Sequence, residues 1–257
     1  MWFEKAKRLI NEADGEVGLL VKNLATGEVF AHNEEVKFPS ASIIKVPIMV
    51  ALLDAAAEGS LDLNSVSSVL ASDYVGGSGI IQYLSDKIPF TLLDQAVLMI
   101  DLSDNTATNQ LISVLGMDKI NAKCREMGLK DTILGRKLMD LEARKQGKDN
   151  ITSCRDMLVI FENLHNKPEK NALALKILKQ QIYNNLLPLL TIPDEFEFAH
   201  KTGSLPGPGV GVRHDVGIMY LKVPVFTAFM TKNFKRDVDA LRLGNEIGLL
   251  VYNEYRQ

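Results

Sequence analysis

The chain opens with apolar side chains at Phe3, Ala6, Leu9, Ile10 and Ala13, and this spacing predicts an amphipathic helix over 2–13 that Gly15 ends. Glu16 to Leu24 and Glu28 to Ala31 then read as two strands, with Asn23-Leu24-Ala25-Thr26-Gly27 as the turn of a hairpin. From residue 42 to about 190 the pattern becomes mainly helical. Segments 43–58, 91–100, 105–115, 118–127, 152–164 and 171–183 carry apolar residues at helical spacing, broken at Gly59, Gly76-Gly77-Ser78-Gly79, Gly116 and Gly128. Strand character returns at 196–202, 210–221 and 224–231, followed by a helix near 234–252. No internal repeat or low-complexity tract interrupts this order.

That order predicts an α+β fold, a two-part α/β sandwich. Strands from both chain ends assemble a five-stranded antiparallel sheet with the terminal helices on one face, and the helical block is an insertion packed beside it. The expected division of the single domain 1–257 is an α/β part, 1–38 plus 194–257, and a helical part, 39–193. A cleft between the two parts is the natural place for a site.

Composition adds mainly exclusions. Hydrophobic residues are 46% and charged residues 24%, as in an ordinary globular chain. A net charge of -3 and the lack of any long basic run give no reason to expect nucleic acid. The segment that begins Met1-Trp2-Phe3-Glu4-Lys5 is amphipathic, and no stretch has the length and apolarity of a membrane span. The expectation is a soluble monomer, cytoplasmic as the chain stands and periplasmic or secreted if an export signal has been removed. Cys124 and Cys154, far apart and without paired histidines, read as buried thiols or a single bridge, and no metal site is expected. Neither a phosphate-cradling glycine loop nor a His-Glu-x-x-His stretch is present, so no cofactor is expected.

Chemistry enters at Ser42-Ile43-Ile44-Lys45, where a hydroxyl and an amine lie one helical turn apart. A serine hydroxyl is a poor nucleophile near neutral pH, but a lysine in a dry, partly charged pocket can lose its proton and act as base toward it. Ser103-Asp104-Asn105 fits a helix cap, and it equally fits a proton conduit at Ser103 with a substrate-holding amide at Asn105. Asp101 and Asp104 both lie close to Asn105, and the spacing leaves open which carboxylate faces inward. Lys201-Thr202-Gly203-Ser204 fits a surface turn, or an edge strand along a cleft. In the second case Lys201 and Thr202 would meet a substrate carboxylate, and Gly203 would leave room for substrate backbone. The Ser204 amide, opposite that of Ser42, would then complete a pair of donors for an oxyanion.

These three segments, in this order, resemble the signature of the penicillin-recognising serine hydrolases, specifically class A β-lactamases, and the likeness spans nearly the whole chain. The resemblance implies a β-lactamase/D,D-peptidase-like fold and hydrolysis of a small β-lactam or acyl substrate through an acyl-Ser42 intermediate. It makes Ser42 the nucleophile, Lys45 part of the base system and Ser103 a proton relay. Asn105, Lys201, Thr202 and Ser204 would bind substrate. Arg213, after the turn Leu205-Pro206-Gly207-Pro208-Gly209, falls where some class A members keep an arginine for the substrate carboxylate. His214-Asp215 is expected to pin its strand, and His200 to pack or face solvent.

One departure bears on mechanism. Class A enzymes deacylate with a glutamate in a loop of the form Arg-x-Glu-x-x-Leu-Asn, and counting from Arg136 puts Leu138 there. Asp140 and Glu142 are the nearest candidate bases, although an Arg136–Asp140 salt bridge and an exposed Glu142 fit equally well. The expected consequence is slow release of the acyl group. A D,D-peptidase or penicillin-binding-like enzyme, a small-ester hydrolase and a sensor that retains its adduct are the alternatives.

Overall fold

The computed structural model describes the chain except residues 68, 86–87, 193–194 and 206–210. The predicted Pro206-Gly207-Pro208-Gly209 turn therefore lies outside the described residues. Helix α1 (Trp2–Asn11) leads into the hairpin β1 (Glu16–Asn23) and β2 (Val29–His32). The helical block follows: α2 (Lys45–Ala57), α3 (Leu92–Asp101), α4 (Asn105–Leu115), α5 (Met117–Glu126), α6 (Leu141–Lys145), α7 (Cys154–Asn166) and α8 (Ala172–Lys179). Strands β3 (Glu197–Leu205), β4 (Val212–Tyr220) and β5 (Pro224–Lys232) complete the sheet before α9 (Asp237–Tyr255). The sheet order is β2-β1-β5-β4-β3 with antiparallel neighbours, which puts β3 at an edge.

The alternation along each strand explains the two layers. On β1, Val17, Leu19 and Val21 join the core under α1 and α9, whereas Leu20 joins the larger core shared with the helical block. On β5, Val225 and Phe229 face the first core and Phe226, Ala228 and Met230 the second. Both faces are covered, so these strands read as nearly continuous apolar runs instead of a clean alternation.

Capping decides several helix ends. Thr91 Oγ1 accepts from Asp94 N at 3.0 Å while Asp94 Oδ2 accepts from Thr91 N at 2.9 Å, a reciprocal cap on α3. The helix expected over 43–58 begins as a 3-10 turn, Ala41–Ile44, before α2 takes over. The helix expected over 171–183 ends at Lys179, which leaves Gln181 and Tyr183 in irregular chain beside the cleft. Cys124 and Cys154 are both buried and unbridged. Among the described residues no helix is long and apolar enough to cross a membrane.

Candidate active site

Ser42 sits on the 3-10 turn, and Lys45 is the first residue of α2. The buried side chains of Ile43, Ile44 and Val46, each 0% exposed, anchor this turn in the core. Lys45 is itself fully buried, and its Nζ lies 3.1 Å from Ser42 Oγ. The same nitrogen is 2.7 Å from Ser103 O, 3.0 Å from Ser103 Oγ and 2.9 Å from Asn105 Oδ1. Burial and then the charge of Lys201 push its pKa well down, against a weaker pull from Asp104. A neutral Lys45 has a lone pair to receive the Ser42 proton.

Asp104 is the structural carboxylate of the second segment. It is 1% exposed and accepts from Ile80 N (2.7 Å), Ile81 N (2.9 Å) and Ala107 N (2.9 Å), so it caps α4 and holds the 76–81 loop. Gly79, at φ +112°, has no room for a side chain, since a Cβ would stand 2.3 Å from that carboxylate. Asn105 donates from Nδ2 to Gly76 O at 3.0 Å, and Asn105 N donates to Ser78 O at 3.0 Å. Asp101 is not engaged in this loop.

Edge strand β3 carries the third segment. Lys201 is 0% exposed; its Nζ donates to Thr202 O at 3.0 Å and Gln181 Oε1 at 3.3 Å. Burial pushes its pKa down to about 7, against the opposing fields of Asp215 and Asp101. A Cβ on Gly203 would lie 3.1 Å from Ser42 N and 3.2 Å from Ala41 Cβ, so glycine lets the strand pass close to the serine turn. Ser204 is exposed at the cleft and pairs in register with Arg213.

Neighbouring groups are committed elsewhere. Arg213 reaches the cavity wall, but its Nε donates to Asp237 Oδ1 at 2.9 Å and a second nitrogen pairs with Asp237 Oδ2. His200 is buried, with Nδ1 2.7 Å from Asp215 Oδ1 and its ring stacked on Phe198. His214 Nε2 donates to Pro39 O at 2.7 Å while Nδ1 accepts from Thr231 N at 3.2 Å, which ties β4 and β5 to the residues just ahead of Ser42. Burial lowers the His214 pKa to about 4, so the ring is neutral.

The loop holding Leu138 departs from expectation. Arg136 pairs with Asp149, at 2.9 Å from Nε and 2.8 Å from a terminal nitrogen to Oδ1, and not with Asp140. Asp149 follows the short helix and meets the guanidinium across the loop, whereas Asp140 is used as the cap of α6, accepting from Ala143 N at 2.9 Å. Leu138 is clamped by Asn109: Leu138 N donates to Oδ1 at 2.8 Å, and Nδ2 donates to Leu138 O at 3.0 Å. Asp140 and Glu142 are exposed, Glu142 beside Lys145 at 3.4 Å, and neither lines a cavity reaching Ser42. The fold does not bring these two carboxylates to the serine.

Two cavities meet at Ser42. One of about 210 Å³ lies toward Ser103, Thr202, Ser204 and Tyr183. The other, about 270 Å³, is bounded by Asn105, Leu138, Met139 and Leu141. Ser78, Tyr183 and Asn185, which lie outside the three polar segments, also line these walls. The glycine-rich break was the one signal for Ser78; Tyr183 and Asn185 carried none, because their approach depends on where α8 ends.

This arrangement on this fold defines a serine hydrolase of the penicillin-recognising type. The profile of the β-lactamase enzyme family matches residues 2–255, and the chain belongs to that family. A β-lactamase of Bacillus licheniformis is 26% identical over 238 residues, 90% of this chain and 76% of the relative. The crystal structure of a β-lactamase from Sphaerobacter thermophilus superposes with a TM-score of 0.89 at 27% identity, covering 98% of this chain and 96% of that one. PBP-A superposes with a TM-score of 0.87 at 28% identity, covering 98% and 95%. A leucine-to-glutamate variant of PBP-A is known as its acyl-enzyme with penicillin G.

Proposed function

We propose that this enzyme opens a β-lactam amide by forming an ester on Ser42 and releases the acyl group slowly. The observation that carries the acylation half is the 3.1 Å approach of a buried, deprotonation-prone Lys45 to Ser42 Oγ. Ser42 Oγ attacks the lactam carbonyl carbon as Lys45 Nζ takes its proton. The amides of Ser42 and Ser204 receive the negative charge that develops on the carbonyl oxygen. The carbon–nitrogen bond then breaks, and the leaving nitrogen takes a proton that passes from Lys45 through Ser103 Oγ, 3.0 Å away. Asn105 holds the acyl side, while Lys201 and Thr202 meet the substrate carboxylate.

Deacylation requires water to attack the Ser42 ester, and Leu138 has no group to activate it. With Asp140 and Glu142 turned to solvent, Lys45 is the base left beside the ester among the described residues. Loss of a well-placed general base costs about 10²–10⁴-fold in the step it assists. Leu138 at the glutamate position favours a second reading, in which the physiological acyl donor is a peptide and the lactam acts as a trap. We also take the protein to be a monomer.

Time-resolved intact mass with a penicillin and a cephalosporin tests this reading. A mass increase of one lactam that accumulates on the wild type, decays slowly and is lost in Ser42→Ala is the expected result. Fast turnover of both substrates with no adduct would overturn the slow-release half, and labelling that survives Ser42→Ala would overturn the whole.

A further inference from the structure

Tyr183, Asn185 and Leu186 form part of the cavity wall beside Ser103 and Thr202. Residues 181–187 are irregular chain beyond the end of α8, so no ladder of main-chain bonds fixes them. Side chains hold them instead. Gln181 bridges to β3: its Nε2 donates to His200 O at 3.3 Å, and its Oε1 accepts from Lys201 Nζ at 3.3 Å. His200 Nε2 lies 3.1 Å from Asn184 Oδ1, while Nδ1 lies 2.7 Å from Asp215 Oδ1. The other oxygen of Asp215 accepts from Leu187 N at 3.2 Å. From α9, Asn245 Nδ2 donates to Leu186 O at 2.7 Å and Asn185 O at 3.2 Å. Tyr183 Oη donates to Leu102 O at 3.3 Å, at the end of α3.

His200 and Asp215 are 1% and 0% exposed, and neither lines a cavity at Ser42, so neither touches substrate. We propose that they are positioning residues for substrate binding: the buried pair staples residues 184–187 to β3 and β4, and so holds Tyr183 and Asn185 against the carboxylate-bearing side of the substrate. Stacking on Phe198, with 4.0 Å between ring centroids, fixes the plane from which the two His200 nitrogens reach opposite partners. Asp215 then closes the link, with one oxygen on the ring and the other on a main-chain amide of the wall. A wall tied through two buried side chains keeps its shape without a helix or strand of its own. The Ser42–Lys45 contact, by contrast, is set within a single turn. Loss of the staple therefore weakens the hold on the substrate and spares the chemical step.

The inference rests on acylation of Ser42 as proposed above, so its test includes a readout that needs no reaction. In hydrogen exchange followed by mass spectrometry, Asp215→Ala is expected to speed exchange at residues 184–187 by about tenfold or more. Helix α5, which carries none of these contacts, should exchange as in the wild type. For acylation by a penicillin, followed by intact mass, the half-saturating concentration should rise about tenfold while the limiting rate stays within about twofold. Asp215→Asn can keep the staple, its oxygen accepting from Leu187 N and its nitrogen donating to a neutral His200 Nδ1, and should restore both readouts. Unchanged exchange at 184–187 in Asp215→Ala overturns the inference, as does a limiting rate that falls as far as binding does. An Asn variant as loose as the Ala variant also overturns it. A wild type that penicillin never labels overturns the proposed function instead, and faster exchange in Asp215→Ala, restored in Asp215→Asn, then still supports the staple. If Asp215→Ala does not fold, Asn184→Ala, which removes the partner of His200 Nε2 at an exposed position, carries the same comparison.

Discussion

Ala41 at φ +46°, Ser103 at +53° and Met139 at +63° are non-glycine residues in the left-handed region, and all three border the two cavities or the serine turn. Such conformations cost of order 1–3 kcal/mol each and persist where the surroundings over-determine them. Those at Ala41 and Ser103 set the chain where Ser42 and Ser103 both reach the same lysine nitrogen. In the proposed mechanism Leu138 is the residue on which turnover hinges. Leu138→Glu, on a backbone clamped by Asn109, is expected to speed decay of the acyl adduct by about 10²-fold or more, read by single-turnover mass spectrometry. An adduct lifetime unchanged in a folded variant would mean that the site excludes the hydrolytic water. Asp140→Asn and Glu142→Gln, by contrast, should leave that lifetime within about twofold, because removing a solvated surface carboxylate takes nothing from the step.

At the level of elements, the site is a meeting of a 3-10 turn, a helix cap and an edge strand. Gly203 sets how near the strand can pass. A methyl group there would press on Ser42 N at 3.1 Å and Ala41 Cβ at 3.2 Å, displacing one oxyanion donor. Gly203→Ala is therefore expected to slow acylation by about 10²-fold, in line with loss of one such donor, as followed by stopped-flow with a chromogenic cephalosporin. The cap is a matter of stability as much as chemistry. Asp104→Ala would leave the amides of Ile80, Ile81 and Ala107 without their acceptor, and urea unfolding should show a loss of about 2–4 kcal/mol.

For the whole molecule, burying two lysines in one cleft has a signature in stability against pH. Lys201 falls from its ordinary 10.5 to about 7 in the folded protein, and Lys45 shifts in the same direction. Between those values the unfolded chain binds more protons than the folded one, so stability rises with pH above about 7. Each lysine contributes at most about 1.4 kcal/mol per pH unit. Cys124, raised from 9.0 to about 11, acts the other way above pH 9, which confines the clean window to pH 7–9. Thermal unfolding should show Tm rising across that window in wild type and rising less in Lys201→Met. Equal slopes would mean that Lys201 keeps its ordinary proton affinity in the fold.

Local pattern was enough for the order of strands and helices and for the three polar segments, because periodicity and turn chemistry are properties of neighbouring residues. Ser42 and Lys45 could be paired on the page since three residues span about one turn. Which carboxylate near Asn105 is structural, by contrast, depended on the 76–81 loop, some two dozen residues away, offering its amides to Asp104 and not to Asp101. The partner of Arg136 likewise turned on how the 136–149 loop closes, and the exposure of Asp140 and Glu142 on a short helix that starts only because Asp140 caps it. Spacing along the chain determines which groups can share a face. Only packing decides which of them lose water, and that loss is what lowers the proton affinity of Lys45 and Lys201.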